Sequence, residues 1–133
     1  MATQSTRRSI YLEGFGHSNP IPAACRIGNL VWSGSIQGTD PQTGEYGETL
    51  EAQSRLMFEQ LRRIAQAAGV SVGDIIKVTV WMKDRTQRAA LNGPWLEMFP
   101  DPESRPARHT MNGDLDGRKL VECEFIAVAP APH

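Results

Sequence analysis

The stretch SRPARHTMNGDLDG, residues 104–117, sets Arg105 and Arg108 on either side of a proline and ends in turn-forming residues. Pro106 lacks an N–H and biases Arg105 toward an extended conformation, so the segment reads as an extended entry rather than a helix. Arg108 then stands on a strand leading into Asn112-Gly113-Asp114 and Asp116-Gly117, both turn signals. A guanidinium in that place is either a solvated surface charge or the holder of an anion. After the loop, KLVECEFIAVA (119–129) reads as a strand. Its alternation puts Val121, Cys123 and Phe125 on one face and Leu120, Glu122, Glu124 and Ile126 on the other. The two glutamates are a polar strand face, a subunit contact or, for Glu122, a proton-handling group.

Other reactive residue types form no recognisable constellation. His17, His109 and His133 lack metal-ligand spacing, and no Ser-His-Asp arrangement emerges. Cys25 and Cys123 match no metal motif and read as free thiols in a reducing compartment. SGSIQG (33–38) contains Ser33 and Gly34 but lacks phosphate-loop form; it reads as a strand end whose backbone reaches a ligand. Trp32 and Trp81 read as packing, and Trp95, just after Gly93-Pro94, as a candidate pocket wall.

Secondary elements must position these groups. Ile10–Glu13 is a short strand candidate, residues 20–27 offer one more, and Gly28–Ser35 is a clearer strand. TDPQTGEYGET (39–49) is a loop. Leu50, Met57, Phe58, Leu61, Ile64, Ala65 and Ala68 then follow helical spacing, with Thr49 as N-cap and Gly69 at the C′ position. Ile75–Met82 is a strand with Ile76, Val78 and Val80 on one face. A second helix starts near Asp84, with Gln87 completing a capping-box variant, and Asn92-Gly93-Pro94 kinks it or splits it into two short helices. Asn92 caps the segment that Pro94 begins, or reaches a site. The order predicts one α+β domain over 1–133, a mixed or antiparallel sheet with two helices on one face. The uncovered sheet face carries apolar residues, which a closed homo-oligomer would bury.

The chain has 133 residues, 40% hydrophobic and 22% charged, with 14 basic and 15 acidic residues and net charge −1. That balance argues against a broad nucleic-acid or acidic-membrane surface. No apolar run is long enough to span a bilayer, and MATQSTRRSI lacks the apolar core of a secretory signal, so the cytosol is expected.

Over nearly its whole length the chain resembles the RidA (YjgF-type, endoribonuclease L-PSP) family. The resemblance lies in RIGNLVWSGSIQGTDPQTGE (26–45), EAQSRLMFEQLRRIAQAAGVSVGDIIKVTVWMKD (51–84), RPARHTM (105–111) and LVECEFIAVA (120–129). It implies a chorismate-mutase-like fold, a homotrimer whose sheets form a central barrel, and clefts between subunits. It implies cofactor-free hydrolysis of 2-imino and 2-enamino acids, such as 2-aminoacrylate and 2-iminopropanoate, to 2-keto acids and ammonia. Arg108 then clamps the substrate carboxylate, Glu122 positions or activates water, and Asn92, Thr110, Ser33, Gly34 and Trp95 line the pocket. Ile21 stands where such deaminases commonly have tyrosine, the loop between Arg108 and Glu122 is one residue short, and Gly93-Pro94 is unusual. These departures point to a paralogous branch acting on a larger enamino acid, of the 2-aminomuconate deaminase type, or to a small-acid binding or regulatory module. The neutral charge argues against RNA cleavage.

Overall fold

A computed structural model describes residues 6–12 and 19–130. Glu13, His17 and His133 fall outside the described residues. Seven strands form one sheet: β1 (Arg7–Ile10), β2 (Ala24–Ile27), β3 (Leu30–Ser33), β4 (Ile36–Gln37), β5 (Ile75–Met82), β6 (Ala107–Asn112) and β7 (Val121–Val128). The order is β1-β2-β3-β7-β5-β6, with β4 paired to β7. Among the described residues only β5 and β6 run parallel, and the other strand pairs are antiparallel. The result is the expected mixed α+β architecture.

Helix α1 (Leu50–Ala67) forms where the apolar period predicts it. The Thr49 hydroxyl accepts from Ala52 N at 3.1 Å. At the other end Gly69 has φ +80, Val70 N donates to Ala65 O, and Gly69 N donates to Gln66 O. This double closure needs a left-handed residue, which glycine supplies without a Cβ clash. No basic residue lies in the last turn. Instead Arg26, from β2, donates through Nη1 to Ala68 O at 2.7 Å. Met57, Phe58, Leu61, Ile64, Ala65 and Ala68 are buried as expected, packed with Val78, Val80, Val121, Cys123 and Phe125.

Three expectations shift. The first strand is Arg7–Ile10 rather than Ile10–Glu13, because antiparallel pairing to β2 sets Arg8 opposite Arg26 and Ile10 opposite Ala24. In β5 the register breaks between Ile75 and Lys77. Ile75 therefore joins Val78 and Val80 in the core, while Ile76 is 58% exposed. The segment after Asp84 is a 3-10 helix (Arg85–Leu91) followed by a short α2 (Asn92–Met98), two short helices as the Gly-Pro break allows. The Asp84 carboxylate accepts from Thr86 N and Thr86 Oγ, so Gln87 completes no capping box. Pro94 falls in the first turn of α2, where a missing N–H leaves no intrahelical bond unmade.

The helices cover one sheet face. The other carries Leu30 (43% exposed) and Trp32 (49%), and pairing sets them beside Val128 and Ile126 of β7. Glu122 and Glu124 continue that row of β7.

Candidate active site

Arg108 lies on β6, the last strand of the sheet, opposite Val78 of β5. Val78 is fully buried, so the shared pleat turns Arg108 toward the helix-covered face, at its edge. The two arginines of the motif separate sharply. Arg105 spends its guanidinium on backbone: Nε donates to Phe99 O at 2.8 Å and Nη2 to Pro100 O at 3.2 Å. It fixes the turn that delivers the extended, buried Pro106 to β6. Arg108 makes no backbone bond of that kind. Its Nη2 donates to Asn92 Oδ1 at 3.1 Å. Its guanidinium carbon lies 4.9 Å from the centre of the Trp95 ring, within cation–π range. Its Nη1 is buried and has no acceptor among the described residues.

This is a prepared cation. Asn92 and Trp95 hold the guanidinium from two sides, and Trp95 is itself held by edge-on packing against Phe99 at 4.8 Å and Phe58 at 6.1 Å. Asn92 occupies the first turn of α2 with helical backbone angles, and its side chain reaches Arg108 rather than capping. Burial, and then the like charge of Arg88, lower the Arg108 pKa from its ordinary value. A guanidinium starts so far above neutrality that it stays charged. Leaving a buried donor unmet costs about 1–3 kcal/mol, more for a charged group, which an arriving anion offsets. Thr110, two residues along β6, shares the face of Arg108 and is half-buried opposite Val80. His109 points to the other face and is exposed.

The remaining candidates gather elsewhere. Glu122 does not lie on a strand adjacent to Arg108, as the short connecting loop suggests: β5 intervenes between β6 and β7. Glu122 pairs with Trp81 and Arg108 with Val78, on opposite faces. Two strand spacings and the Val78-to-Trp81 offset put them roughly 14 Å apart along the sheet. Glu122 Oε2 accepts only a long bond from Gln37 Nε2, 3.5 Å. Ser33 is buried; its Oγ accepts from Phe125 N at 2.9 Å and donates to Gly34 O at 2.8 Å, tying β3 to β7. Gly34 N donates to Ala23 O, and Ile21 is half-exposed in the segment before β2. One chain thus brings Arg108, Asn92 and Trp95 together at the β6–α2 edge, with Thr110 on the same face, whereas Ser33 and Gly34 lie at the end of β3, Ile21 before β2, and Glu122 beside Gln37 on β7. Cys123 is no nucleophile: burial raises its thiol pKa strongly. Among the described residues no cluster of three His, Cys, Asp or Glu could hold a metal ion, and no helix is long and apolar enough to cross a membrane.

The chain is similar to known proteins in sequence and in fold. The chain is 36% identical over 110 residues to a RutC family protein of Pyrococcus horikoshii, covering 81% of this chain and 86% of the relative. It is 35% identical over 104 residues to the 2-iminobutanoate/2-iminopropanoate deaminase of Salmonella typhimurium, 77% of this chain and 81% of that one. The crystal structure of Escherichia coli TdcF with bound serine superposes with a TM-score of 0.83 at 31% identity, covering 92% of this chain and 99% of that chain. The family model described as endoribonuclease L-PSP matches residues 16–129, and the chain belongs to that family, the RidA/YjgF group.

Proposed function

We propose that the protein is a hydrolytic deaminase of reactive 2-imino and 2-enamino acids, producing 2-keto acids and ammonia. The observation that carries this reading is the half-buried Arg108, held by Asn92 and Trp95 with Nη1 unmet. The name of the Salmonella relative and the serine bound to TdcF, an amino acid with a free carboxylate, support it.

In this mechanism the Arg108 fork takes the substrate carboxylate and fixes the C=N carbon in the path of water. Water adds to that carbon. A carboxylate accepts the proton that water loses and passes it to the nitrogen, giving a carbinolamine; it then takes the proton of the carbinolamine hydroxyl and delivers it to the amine, so that the C–N bond breaks as the carbonyl forms and ammonia leaves. Oxidation states balance without a redox partner, so no cofactor is needed. Glu122 is our choice for the proton carrier. Since one chain keeps Glu122 and Arg108 apart, the complete site joins Arg108 of one subunit to Glu122, Ser33, Gly34 and Ile21 of the next. A homotrimer closed through the Leu30–Trp32–Val128 face would bring them together and bury that apolar surface. No nucleic-acid partner enters this reading.

The test generates 2-iminopropanoate and 2-iminobutanoate in situ with an amino-acid oxidase and follows imine decay. Acceleration by the wild type that disappears in Arg108→Ala supports the proposal. Carboxylate binding without acceleration would instead favour a binding module, the reading that Ile21, an alkyl group at the expected tyrosine position, motivates.

A further inference from the structure

Gln37 stands directly opposite Glu122 in the pairing of β4 with β7, and the neighbouring pair, Ile36 and Cys123, is fully buried in the core. Alternation therefore turns Gln37 and Glu122 to the same sheet face, where opposed Cβ atoms come within about 5 Å. The Gln37 amide donates twice: Nε2 reaches Ser35 Oγ at 3.1 Å and Glu122 Oε2 at 3.5 Å. The second contact is long, as catalytic hydrogen bonds often are before substrate tightens them. Among the described residues it is the hydrogen bond that the Glu122 carboxylate receives. The backbone on either side of Gln37 is fixed. Ile36 is anchored in the core, and at Gly38 a Cβ would collide with the backbone of Gln53. Gln53 is itself bonded to Gly47 O, Arg118 O and Leu120 N. A two-residue strand thus holds one amide against one carboxylate, with little freedom beyond the rotamers of the two side chains.

A group that carries a proton must keep its aim in two protonation states. An ionised carboxylate only accepts hydrogen bonds, whereas a protonated one has an O–H to donate. A side-chain amide serves both. Its NH2 donates to the carboxylate, and a half-turn of the amide offers its carbonyl to the carboxylic acid. The Ser35 hydroxyl suits either orientation, since it can accept from the NH2 or donate to the carbonyl. We propose that Gln37 is the positioning residue of the proton carrier, its amide aiming Glu122 before and after the carboxylate takes the proton from water. The catalytic part rests on the deaminase reading above; the contact between the two side chains does not. Gln37 acts through Glu122 and moves no proton itself.

The experiment has two arms. The first is a double-mutant cycle on the turnover of 2-iminobutanoate. Gln37→Met keeps the length of the side chain and removes the amide. It should lower kcat about threefold with KM nearly unchanged, and should have no further effect in the Glu122→Gln background. Gln37→Glu keeps the shape but loses the donor and sets like charges together, so its loss of kcat should exceed that of Gln37→Met. A merely structural role would give the opposite order and losses that add to that of Glu122→Gln. The second arm needs no turnover: the side-chain amide resonances of Gln37 in the nitrogen-15 spectrum should move in Glu122→Ala. Unaltered kcat in Gln37→Met, additive losses in the cycle, or unmoved Gln37 resonances would overturn the proposal, and the deaminase reading would stand if the wild type hydrolyses the imine. A wild type that hydrolyses no imine, alongside Gln37 resonances that respond to Glu122→Ala, would do the reverse: the deaminase reading falls and the pairing of the two side chains stands.

Discussion

Gln53 and Arg108 both bury polar atoms, and they do so in opposite ways. Gln53, on the buried stripe of α1, has every hydrogen-bonding atom engaged: Nε2 donates to Gly47 O at 3.0 Å and Arg118 O at 2.9 Å, and Oε1 accepts from Leu120 N at 2.9 Å. It stitches the loop before α1 to the loop before β7. The chain makes room for it, since a Cβ on Gly38 would collide with the Gln53 backbone. Arg108 is held by Asn92 and Trp95, yet its buried Nη1 has no acceptor among the described residues. A fully satisfied buried polar group serves the fold; on the proposed reading, the charged and partly unsatisfied Arg108 is the one that takes a ligand.

Variants can break that contrast. Gln53→Ala leaves two carbonyls and an N–H without partners, and should cost about 3–4 kcal/mol of stability. Denaturant unfolding would read this, and the kcat/KM of the fraction that remains folded should be near wild type. A large loss of activity at unchanged stability would show that Gln53 belongs to the site. Arg108→Ala is expected to do the converse. It should lower kcat/KM for imine hydrolysis by about a hundredfold or more, ~2.7 kcal/mol of transition-state stabilisation, while the melting temperature holds or rises because a desolvated cation has gone. Undiminished kcat/KM in this variant would remove Arg108 from the mechanism. Glu122→Gln should lower kcat by about tenfold with a smaller change in KM, as expected of a group that moves protons; steady-state kinetics reporting an unaltered kcat would make it structural. Asn92→Ala frees one side of the guanidinium. A rise in KM of about threefold, with kcat less affected, would sharpen the reading of Asn92 as a positioning residue, and wild-type kinetics would show that Trp95 suffices.

Much of the frame was readable before any coordinates. The α1 stripe, its Thr49 cap and its Gly69 closure follow from local spacing, and the structure reproduces them, because capping and amphipathic periodicity are settled within a few residues. The alternation of β7 held for the same reason: a pleat has period two whatever the strand pairs with. Other elements were not locally decided. Ile75 and Ile76 are chemically equivalent, and only the register break against β7 chooses which is buried. Gln53 and Gln60 look like solvent-facing residues of an amphipathic helix until the loops that receive their hydrogen bonds are folded over them.

The site shows the same division. Sequence alone supplied the reactive types, Arg108, Glu122, Asn92 and Trp95, and the family pattern in which they stand. It singled out Arg108 by the family pattern but did not show what either arginine bonds to. Tertiary packing gave Arg105 the carbonyls of Phe99 and Pro100 and left Arg108 a buried N–H without an acceptor. Nor could it show that β5 lies between Arg108 and Glu122. Local sequence determines helix, strand and turn because their hydrogen bonds close over short spans of chain. Which polar groups end satisfied, and which remain for a ligand, depends on partners far along the chain, and only the folded arrangement of strands and helices decides that.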